Sequence, residues 1–242
     1  MSASSLPPIV YEDEQIVAFD KPAGLLTVPD RWDGELVNLM QLVHAARGEQ
    51  TANVHRLDRD TSGLVLCAKS REALVALTEQ FEQTAVAKTY VAIVGPPPLN
   101  DSGTIDAALL PDERRPGRMR VHVDGKPSTT EYRVVEKLGR RFAVVELKPR
   151  TGRTHQLRVH MAHIKAPILC DPLYGDGRPV LLSQLKRNYR PTGESERPLL
   201  ERLALHAAVL EFDHPATGVR TRIEAPLPAE FEKALKQLRR WA

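Results

Sequence analysis

Short apolar or alternating runs, bounded by residues that favour turns, recur along this chain and predict strands. The runs cover residues 15–20, 64–68, 88–94, 130–135 and 142–147. The last two runs flank Leu138-Gly139-Arg140-Arg141, which predicts an antiparallel hairpin that turns at Gly139. Residues 214–218 predict the turn of a further strand pair. The chain is therefore expected to contain many strands joined by hairpins.

Apolar residues spaced three or four apart predict helices between these strands. The helical segments are residues 36–46, the segment after Ser70, the segment from Thr154 to about His163, and the segment that starts at Ala229. Ser70 and Thr154 are the expected N-caps, because a hydroxyl group accepts a hydrogen bond from the first helical turn. Helices that interrupt hairpin-connected strands irregularly favour an α+β fold with a mixed, mainly antiparallel sheet, flanked by helices and loops. No composition break divides residues 1–242, which predicts a single domain.

The composition is that of a globular protein whose cysteines are reduced. Hydrophobic residues make up 42% of the 242 residues, and both cysteines, Cys67 and Cys170, lie in apolar runs. No apolar run reaches the roughly 18 residues of a membrane span, and the first residues lack a signal-peptide pattern. We therefore expect a cytoplasmic location and no membrane partner.

The net charge of +3 says little about partners, whereas the distribution of basic residues says more. Basic residues gather in three clusters, and such clusters often follow a phosphate backbone. The clusters are Arg114, Arg115, Arg118 and Arg120; Lys148, Arg150, Arg153 and Arg158; and Lys186, Arg187 and Arg190. The alternative is a set of solvated faces balanced by acidic residues.

The segment from His55 to Leu66 carries the clearest chemistry. It places Asp58 between Arg56 and Arg59, ahead of a turn and an apolar run. Neighbouring cations favour the ionised carboxylate, which is the form that acts as a nucleophile or a base. A salt bridge within a loop is the simpler interpretation of such a pattern.

Five segments of the chain resemble the RluA-type RNA pseudouridine synthase family in order and approximate spacing. They are Asp20 to Leu26 (DKPAGLL), His55 to Gly63 (HRLD-x-x-TSG), Lys88-Thr89-Tyr90, Thr151 to His160 (TGRTHQLRVH) and Ile168 to Gly175 (ILCDPLYG). Cys170 replaces a small residue of the family pattern. The resemblance covers a core of about residues 9–226 and implies the pseudouridine synthase fold. Many relatives carry an N-terminal S4-type RNA-binding domain, and because few residues precede the core we expect none here.

This resemblance implies that the protein isomerises uridines of structured RNA to pseudouridine, in tRNA or large-subunit ribosomal RNA stem-loops. Asp58 would be the nucleophile, Arg158 would pair with it, and the ring of Tyr90 would lie against the uracil. Contacts to RNA are expected from His55, Arg56, Arg59, Thr61, Arg153, His155 and Gln156. The net change is an isomerisation, so no cofactor is expected. We expect a monomer whose partner is RNA.

Several alternatives stay open at this point. The sequence does not choose between attack of Asp58 on the nucleotide and abstraction of a ribose proton. A glycosidase with Asp58 and Asp60 as its carboxylate pair leaves the TGRTHQLR segment unexplained. A non-catalytic RNA-binding module is the second alternative. His155, His160 and His163 predict no metal site, since no cysteine pair or HExxH motif accompanies them.

Overall fold

The computed structural model describes residues 5–29, 36–186, 188–189 and 195–242. They group into two compact units. The first unit runs to Thr89 and includes His206–Pro226, and the second comprises Tyr90–Leu205 and Leu227–Ala242. None of the described helices combines the length and the apolar character that a membrane span requires.

The described residues form twelve strands, four α-helices and one short 3₁₀ turn. The strands are β1 Ile9–Glu12, β2 Ile16–Lys21, β3 Ala52–Asn53, β4 Ser62–Ala68, β5 Ala87–Val94, β6 Ser102–Asp106, β7 Leu109–Pro111, β8 Met119–Val121, β9 Thr129–Leu138, β10 Phe142–Pro149, β11 Leu205–Asp213 and β12 Arg220–Glu224. The helices are α1 Leu39–Arg47, α2 Arg71–Glu82, α3 Gln156–His163 and α4 Ala229–Trp241, and the 3₁₀ turn is Leu182–Gln184.

In the first unit, the strands follow the order β1-β2-β4-β11, with β12 paired to β11 and β3 paired to β4. The β4–β11 pair is parallel, and the other pairs in this unit are antiparallel. All seven residues of β4 are buried, as expected of a strand whose two faces are covered. Leu77 of α2 packs with Leu64 and Leu66 of β4 in the apolar core of this unit.

In the second unit, β5, β10, β9 and β6 pair in that order, all antiparallel, and β7 pairs with β8. The β9–β10 hairpin turns at Gly139, which has a φ of 61°. The apolar core of the second unit includes Val145 of β10, Met161 of α3 and Phe231 of α4. The prediction of an α+β fold with a mixed, mainly antiparallel sheet is confirmed.

The strands that the sequence did not predict are β1, β3, β6, β7 and β8. Three of them have two or three residues, too few for a periodic pattern to be detected. In β6 the residues are mostly polar, and only Ile105 is buried. β1, β3 and β6 each pair with a longer strand, whereas β7 and β8 pair with each other. These strands are therefore specified by their pairing more than by their own sequences.

Two of the predicted helix starts have different outcomes. Ser70 is the N-cap of α2, and its hydroxyl oxygen accepts a hydrogen bond from the Ala73 N–H at 3.1 Å. The prediction of Thr154 as the N-cap of α3 is wrong. His155 holds that position, because its carbonyl oxygen accepts the hydrogen bond of the Val159 N–H. The polar segment of residues 183–198 lies partly outside the described residues.

Gly63 allows the parallel pairing of β4 with β11. It lies opposite Ala207 and has a φ of 111°, which side-chain-bearing residues rarely adopt. A Cβ atom on Gly63 would lie 2.7 Å from the backbone nitrogen of Ala207 and closer still to its carbonyl oxygen. Only glycine lets the two backbones approach this closely, directly after the Asp58 loop.

We predict that Gly63→Ala lowers the free energy of unfolding by about 3 kcal/mol or more, because backbone strain and a backbone clash add. Gly24→Ala is the matched control, since Gly24 has a φ of 87° and open space around its Cβ position. It should lower stability by only about 1 kcal/mol, the cost of the dihedral angle alone. Urea denaturation of both variants measures the difference. Equal losses would show that the approach to Ala207 is not limiting.

Candidate active site

Asp58 lies on a loop between β3 and β4 in the first unit, and its side chain is partly buried. Its carbonyl oxygen accepts a hydrogen bond from the Thr61 N–H at 3.2 Å, which closes a tight turn. On the other side, the Leu57 N–H donates to Thr27 Oγ1 at 3.1 Å, and this hydroxyl donates to the Leu57 carbonyl at 3.0 Å. The backbone around Asp58 is therefore held on both sides.

Lys21 holds the same loop from inside the first unit. Its side chain is fully buried, and its ammonium group donates to the carbonyl oxygens of Leu25 (2.7 Å), Pro22 (3.0 Å) and Arg59 (3.1 Å). The Gly24 N–H also donates to the Arg59 carbonyl, at 2.8 Å. Two residues of the DKPAGLL segment, Lys21 and Gly24, thus donate to the carbonyl of Arg59, the residue that follows Asp58. We call this arrangement the Lys21 bracket.

The ring of His55 is part of the wall of this loop. Its Nε2 accepts a hydrogen bond from the Leu66 N–H at 3.1 Å, and it stacks on Phe81 at 4.9 Å between ring centroids. Burial of the ring, together with the nearby Lys88 charge, lowers the pKa of His55 to about 3. His55 is therefore neutral at physiological pH, and its Nε2 is free of a proton and accepts the hydrogen bond from the β4 backbone.

The other sequence-predicted residues of this loop differ in exposure. Arg56 and Arg59 are exposed, and the Arg59 side chain also donates to the Gly24 carbonyl at 3.2 Å. Thr61 is buried and its N–H closes the turn on Asp58. Arg56 and Arg59 thus present cationic groups to solvent, whereas Thr61 supports the loop from inside.

Tyr90 belongs to β5 in the second unit, opposite Leu147 of β10, and its side chain is partly buried. It packs against the apolar core of this unit. The strand predicted over residues 88–94, which contains Lys88-Thr89-Tyr90, is confirmed as β5. The ring therefore has a rigid support on a strand.

Gln156 organises the TGRTHQ loop. It is buried, and its Oε1 accepts hydrogen bonds from the Thr151 hydroxyl (2.6 Å) and the Arg153 N–H (3.1 Å). Its Nε2 donates to the Thr129 carbonyl and to Thr130 Oγ1, both at 3.0 Å. Gln156 thus supports the loop from within, whereas the sequence alone suggested a contact to RNA. Arg153, at the tip, is exposed.

Arg158 forms a buried bidentate ion pair with Asp171. Its Nε and Nη2 donate to the two carboxylate oxygens, each at 2.8 Å, and the side chains are 3% and 1% exposed. Arg158 lies within a run of six consecutive buried residues of α3. Burial raises the pKa of Asp171, but the Arg158 guanidinium and the N–H groups of Leu173 and Tyr174 outweigh it and hold this pKa below its usual value.

Tyr174 completes the surroundings of this pair. The Arg158 guanidinium lies 5.2 Å from the centre of its ring, and its hydroxyl group lies 2.8 Å from His155 Nδ1. The hydroxyl oxygen also accepts a hydrogen bond from the Met119 N–H at 2.7 Å. Asp171 and Tyr174 are site residues to which the sequence assigned no role. The signal available for both was their place in the ILCDPLYG segment.

Cys170, directly before Asp171, has a φ of 59°. This left-handed conformation favours glycine and explains why a small residue suits the position. The thiol is buried and lies 3.4 Å from the Leu200 carbonyl oxygen. Burial raises the pKa of Cys170 to about 11, so the thiol is protonated at neutral pH.

His155 and His160 of the TGRTHQLRVH segment, and His163 beyond it, have separate surroundings. His155 starts α3 beside Tyr174, and His163 is exposed at the end of the helix. His160 is buried, and its two ring nitrogens lie 2.9 Å from Thr130 Oγ1 and from the Ala107 carbonyl oxygen. His160 therefore ties α3 to its neighbouring strands.

The three basic clusters differ in how their charges are balanced. In the second cluster Lys148 pairs with Glu146, Arg150 pairs with Glu131, and Arg158 is buried against Asp171. Arg153 has only a backbone contact, 3.4 Å to the Pro127 carbonyl, among the residues that the structure describes. Most of this predicted cluster is thus already neutralised.

The first cluster is free of ion pairs within the described ranges. Arg114, Arg115 and Arg120 line a surface depression of about 440 Å³ together with Asp112 and Glu113. Arg118 donates to the Pro172 carbonyl at 3.5 Å. In the third cluster Lys186 lies over Trp241 at 4.7 Å, whereas Arg187 and Arg190 lie outside the described residues.

Comparison with known proteins gives a consistent result. The family model described as RNA pseudouridylate synthase matches residues 15–163. Ribosomal large subunit pseudouridine synthase D of Pseudomonas aeruginosa is 43% identical over 239 residues, covering 96% of this chain and 71% of the relative. Ribosomal large subunit pseudouridine synthase C of Salmonella typhi is 39% identical over 236 residues, covering 96% and 70%.

A solved structure extends the likeness to the fold. Human RNA Pseudouridylate Synthase Domain Containing 4 has a TM-score of 0.71 and 28% identity, with 96% of this chain and 92% of that chain covered. The family match spans more than half of the sequence and includes the Asp58 loop, Tyr90 and Arg158. The chain belongs to the RNA pseudouridylate synthase family.

Proposed function

We propose that this protein, a pseudouridine synthase by its family, uses Asp58 to isomerise uridine in large-subunit ribosomal RNA. The similar proteins of Pseudomonas aeruginosa and Salmonella typhi are named for that RNA. A tRNA substrate, a monomeric state and a cytoplasmic location stay predictions from the sequence. We further propose that the two units act as one catalytic domain.

The observation that carries the proposal is the fixed loop around Asp58. Pseudouridine formation breaks the C1′–N1 bond of a uridine, turns the uracil and joins it again through C5. A carboxylate that attacks the nucleotide, or removes a ribose proton, has to be held in one geometry. The Lys21 bracket and the Thr27–Leu57 hydrogen bonds provide that rigidity.

Arg158 is proposed as the residue that orients and stabilises the nucleophilic carboxylate. Its bidentate pair with Asp171 fixes the plane of the guanidinium, which a flexible lysine would not maintain. The ring of Tyr174 lies against the same group. These contacts support a positioning role for Asp171 and Tyr174.

Tyr90 is proposed as the aromatic platform for the detached uracil. Base–aromatic stacking is a common means of holding an unpaired nucleotide in RNA-binding proteins. Because the target has to leave its stack, the enzyme also spends a few kcal/mol on extruding the nucleotide. Arg56 is exposed and carries a planar group that stacks on bases, so it is the proposed contact for the vacated position.

We predict that Asp58→Asn yields no detectable pseudouridine while RNA binding is largely retained, because the amide keeps the shape but loses the charge. Asp60→Asn is the matched control from the same loop and should stay active. Pseudouridine mapping of ribosomal RNA after incubation with each purified variant measures the difference. Product from Asp58→Asn would contradict the proposal, and loss of activity in both variants would favour the glycosidase-like carboxylate pair.

We predict that Arg158→Lys lowers the rate by about 100-fold, the order of effect expected when a positioned group shifts by about 1 Å. Lysine keeps the charge opposite Asp171 but has no planar fork, so the fold should survive. Single-turnover kinetics with melting curves separate the two effects. A rate that falls only in proportion to stability would assign Arg158 to structure alone.

We predict that Arg118→Ala and Arg153→Ala each flatten the log–log salt dependence of RNA affinity by about 0.7–0.9, the value expected for one phosphate contact. Arg150→Ala is the control, because Glu131 already neutralises Arg150 through two hydrogen bonds of 2.8 and 2.9 Å. Filter binding between low and high salt measures the slopes. An unchanged slope in all three variants would remove these arginines from the RNA interface.

A further inference from the structure

Lys88 is a partly buried cation in the first unit, next to the Asp58 loop. It belongs to β5, and its ammonium lies 5.8 Å from the centre of the Phe81 ring. Phe81 in turn stacks on His55, the first residue of the HRLD motif. The ammonium of Lys88 therefore lies beside the aromatic pair that borders the loop with the proposed nucleophile.

The charge of Lys88 is not balanced within the described residues. No carboxylate there forms an ion pair with it, although other lysines have such partners. Lys69 pairs with Glu12 at 3.0 Å, and Lys137 pairs with Asp101 at 2.7 Å. The Lys88 charge acts on His55, which is neutral and therefore does not balance it.

An unbalanced, partly buried ammonium is unfavourable in the free protein. Burial lowers the pKa of Lys88, which is the expected response to the loss of water without a counter-charge. The Phe81 ring offsets only part of that cost, and an anion that reached the ammonium would offset more of it. RNA supplies one kind of anion, the backbone phosphate.

We propose that Lys88 binds a backbone phosphate of the RNA, next to the uridine that Asp58 acts on. The inference rests on the proposed function, since it takes RNA as the substrate and the Asp58 loop as the active site. An ammonium–phosphate hydrogen bond is charge-assisted and strong in a partly desolvated place. Lys88 would thus position the nucleotide backbone while other residues act on the sugar and base.

The test compares Lys88→Met with Lys69→Met. Methionine keeps a flexible apolar stem over Phe81 and removes only the charge. Because the removed charge has no carboxylate partner in the part of the chain that the structure describes, Lys88→Met should melt at the same temperature as wild type or higher. Lys69→Met removes a charge that is already paired and should leave RNA binding unchanged.

Binding is measured on a synthetic stem-loop of large-subunit ribosomal RNA that the wild-type enzyme modifies. Lys88→Met should weaken the affinity by about 10-fold or more and flatten the log–log salt slope by about 0.7–0.9. Lys88→Arg should restore most of the affinity. The same stem-loop with a single neutral methylphosphonate at each linkage flanking the target uridine then locates the contact. At one of these linkages, the methylphosphonate should weaken the affinity of the wild-type enzyme for the RNA about 10-fold and leave the affinity of Lys88→Met unchanged.

Each result has a distinct meaning. Equal slopes for Lys88→Met and Lys69→Met, or methylphosphonate effects that persist in Lys88→Met, would overturn the phosphate contact while the enzyme stays active. A lower melting temperature with an unchanged salt slope would assign Lys88 to packing and also overturn it. A wild-type enzyme that modifies no RNA would instead overturn the proposed function, and this inference with it.

Discussion

The arrangement of the active-site loop depends on one buried ammonium, that of Lys21. Three backbone carbonyls accept its hydrogen bonds, and one of them belongs to Arg59, the residue after Asp58. A fully buried lysine is costly unless its donors are satisfied, so the surrounding chain has little freedom to move away. The same energetic requirement that keeps Lys21 hydrogen-bonded therefore fixes the backbone next to Asp58.

In the second unit, the same principle applies to a buried carboxylate, that of Asp171. Asp171 accepts two hydrogen bonds from Arg158 and two from the backbone N–H groups of Leu173 and Tyr174. Removal of either partner would leave an uncompensated buried charge, which costs far more than the pair contributes. The pair is thus better understood as a device that specifies the orientation of Arg158 than as a source of stability.

The sequence predicts the long elements and the chemical segments, because both depend on local patterns. The burial of β4 and the N-cap of α2 follow from an apolar run and a serine. The start of α3 does not follow, because the Gln156 side chain that binds the preceding loop is itself held by Thr129 and Thr130, which are remote in sequence. The roles of Lys21 and Asp171 are hidden for the same reason. Their partners are chosen by the fold, and a charged residue in an apolar segment signals only that some partner exists.

Charge balance separates scaffold from function more clearly than net charge does. The net charge of +3 hides a division between cations with a carboxylate partner, such as Arg150 and Arg239, and cations without one among the described residues, such as Arg153 and Lys88. Paired cations contribute little to long-range attraction, because each is accompanied by its own carboxylate. A partly buried cation without a carboxylate partner, such as Lys88, has a desolvation cost in the free protein that an anionic partner would relieve, whereas the exposed Arg153 stays solvated. With RNA as the proposed partner, Lys88 is therefore a position at which stability of the free protein would be exchanged for affinity.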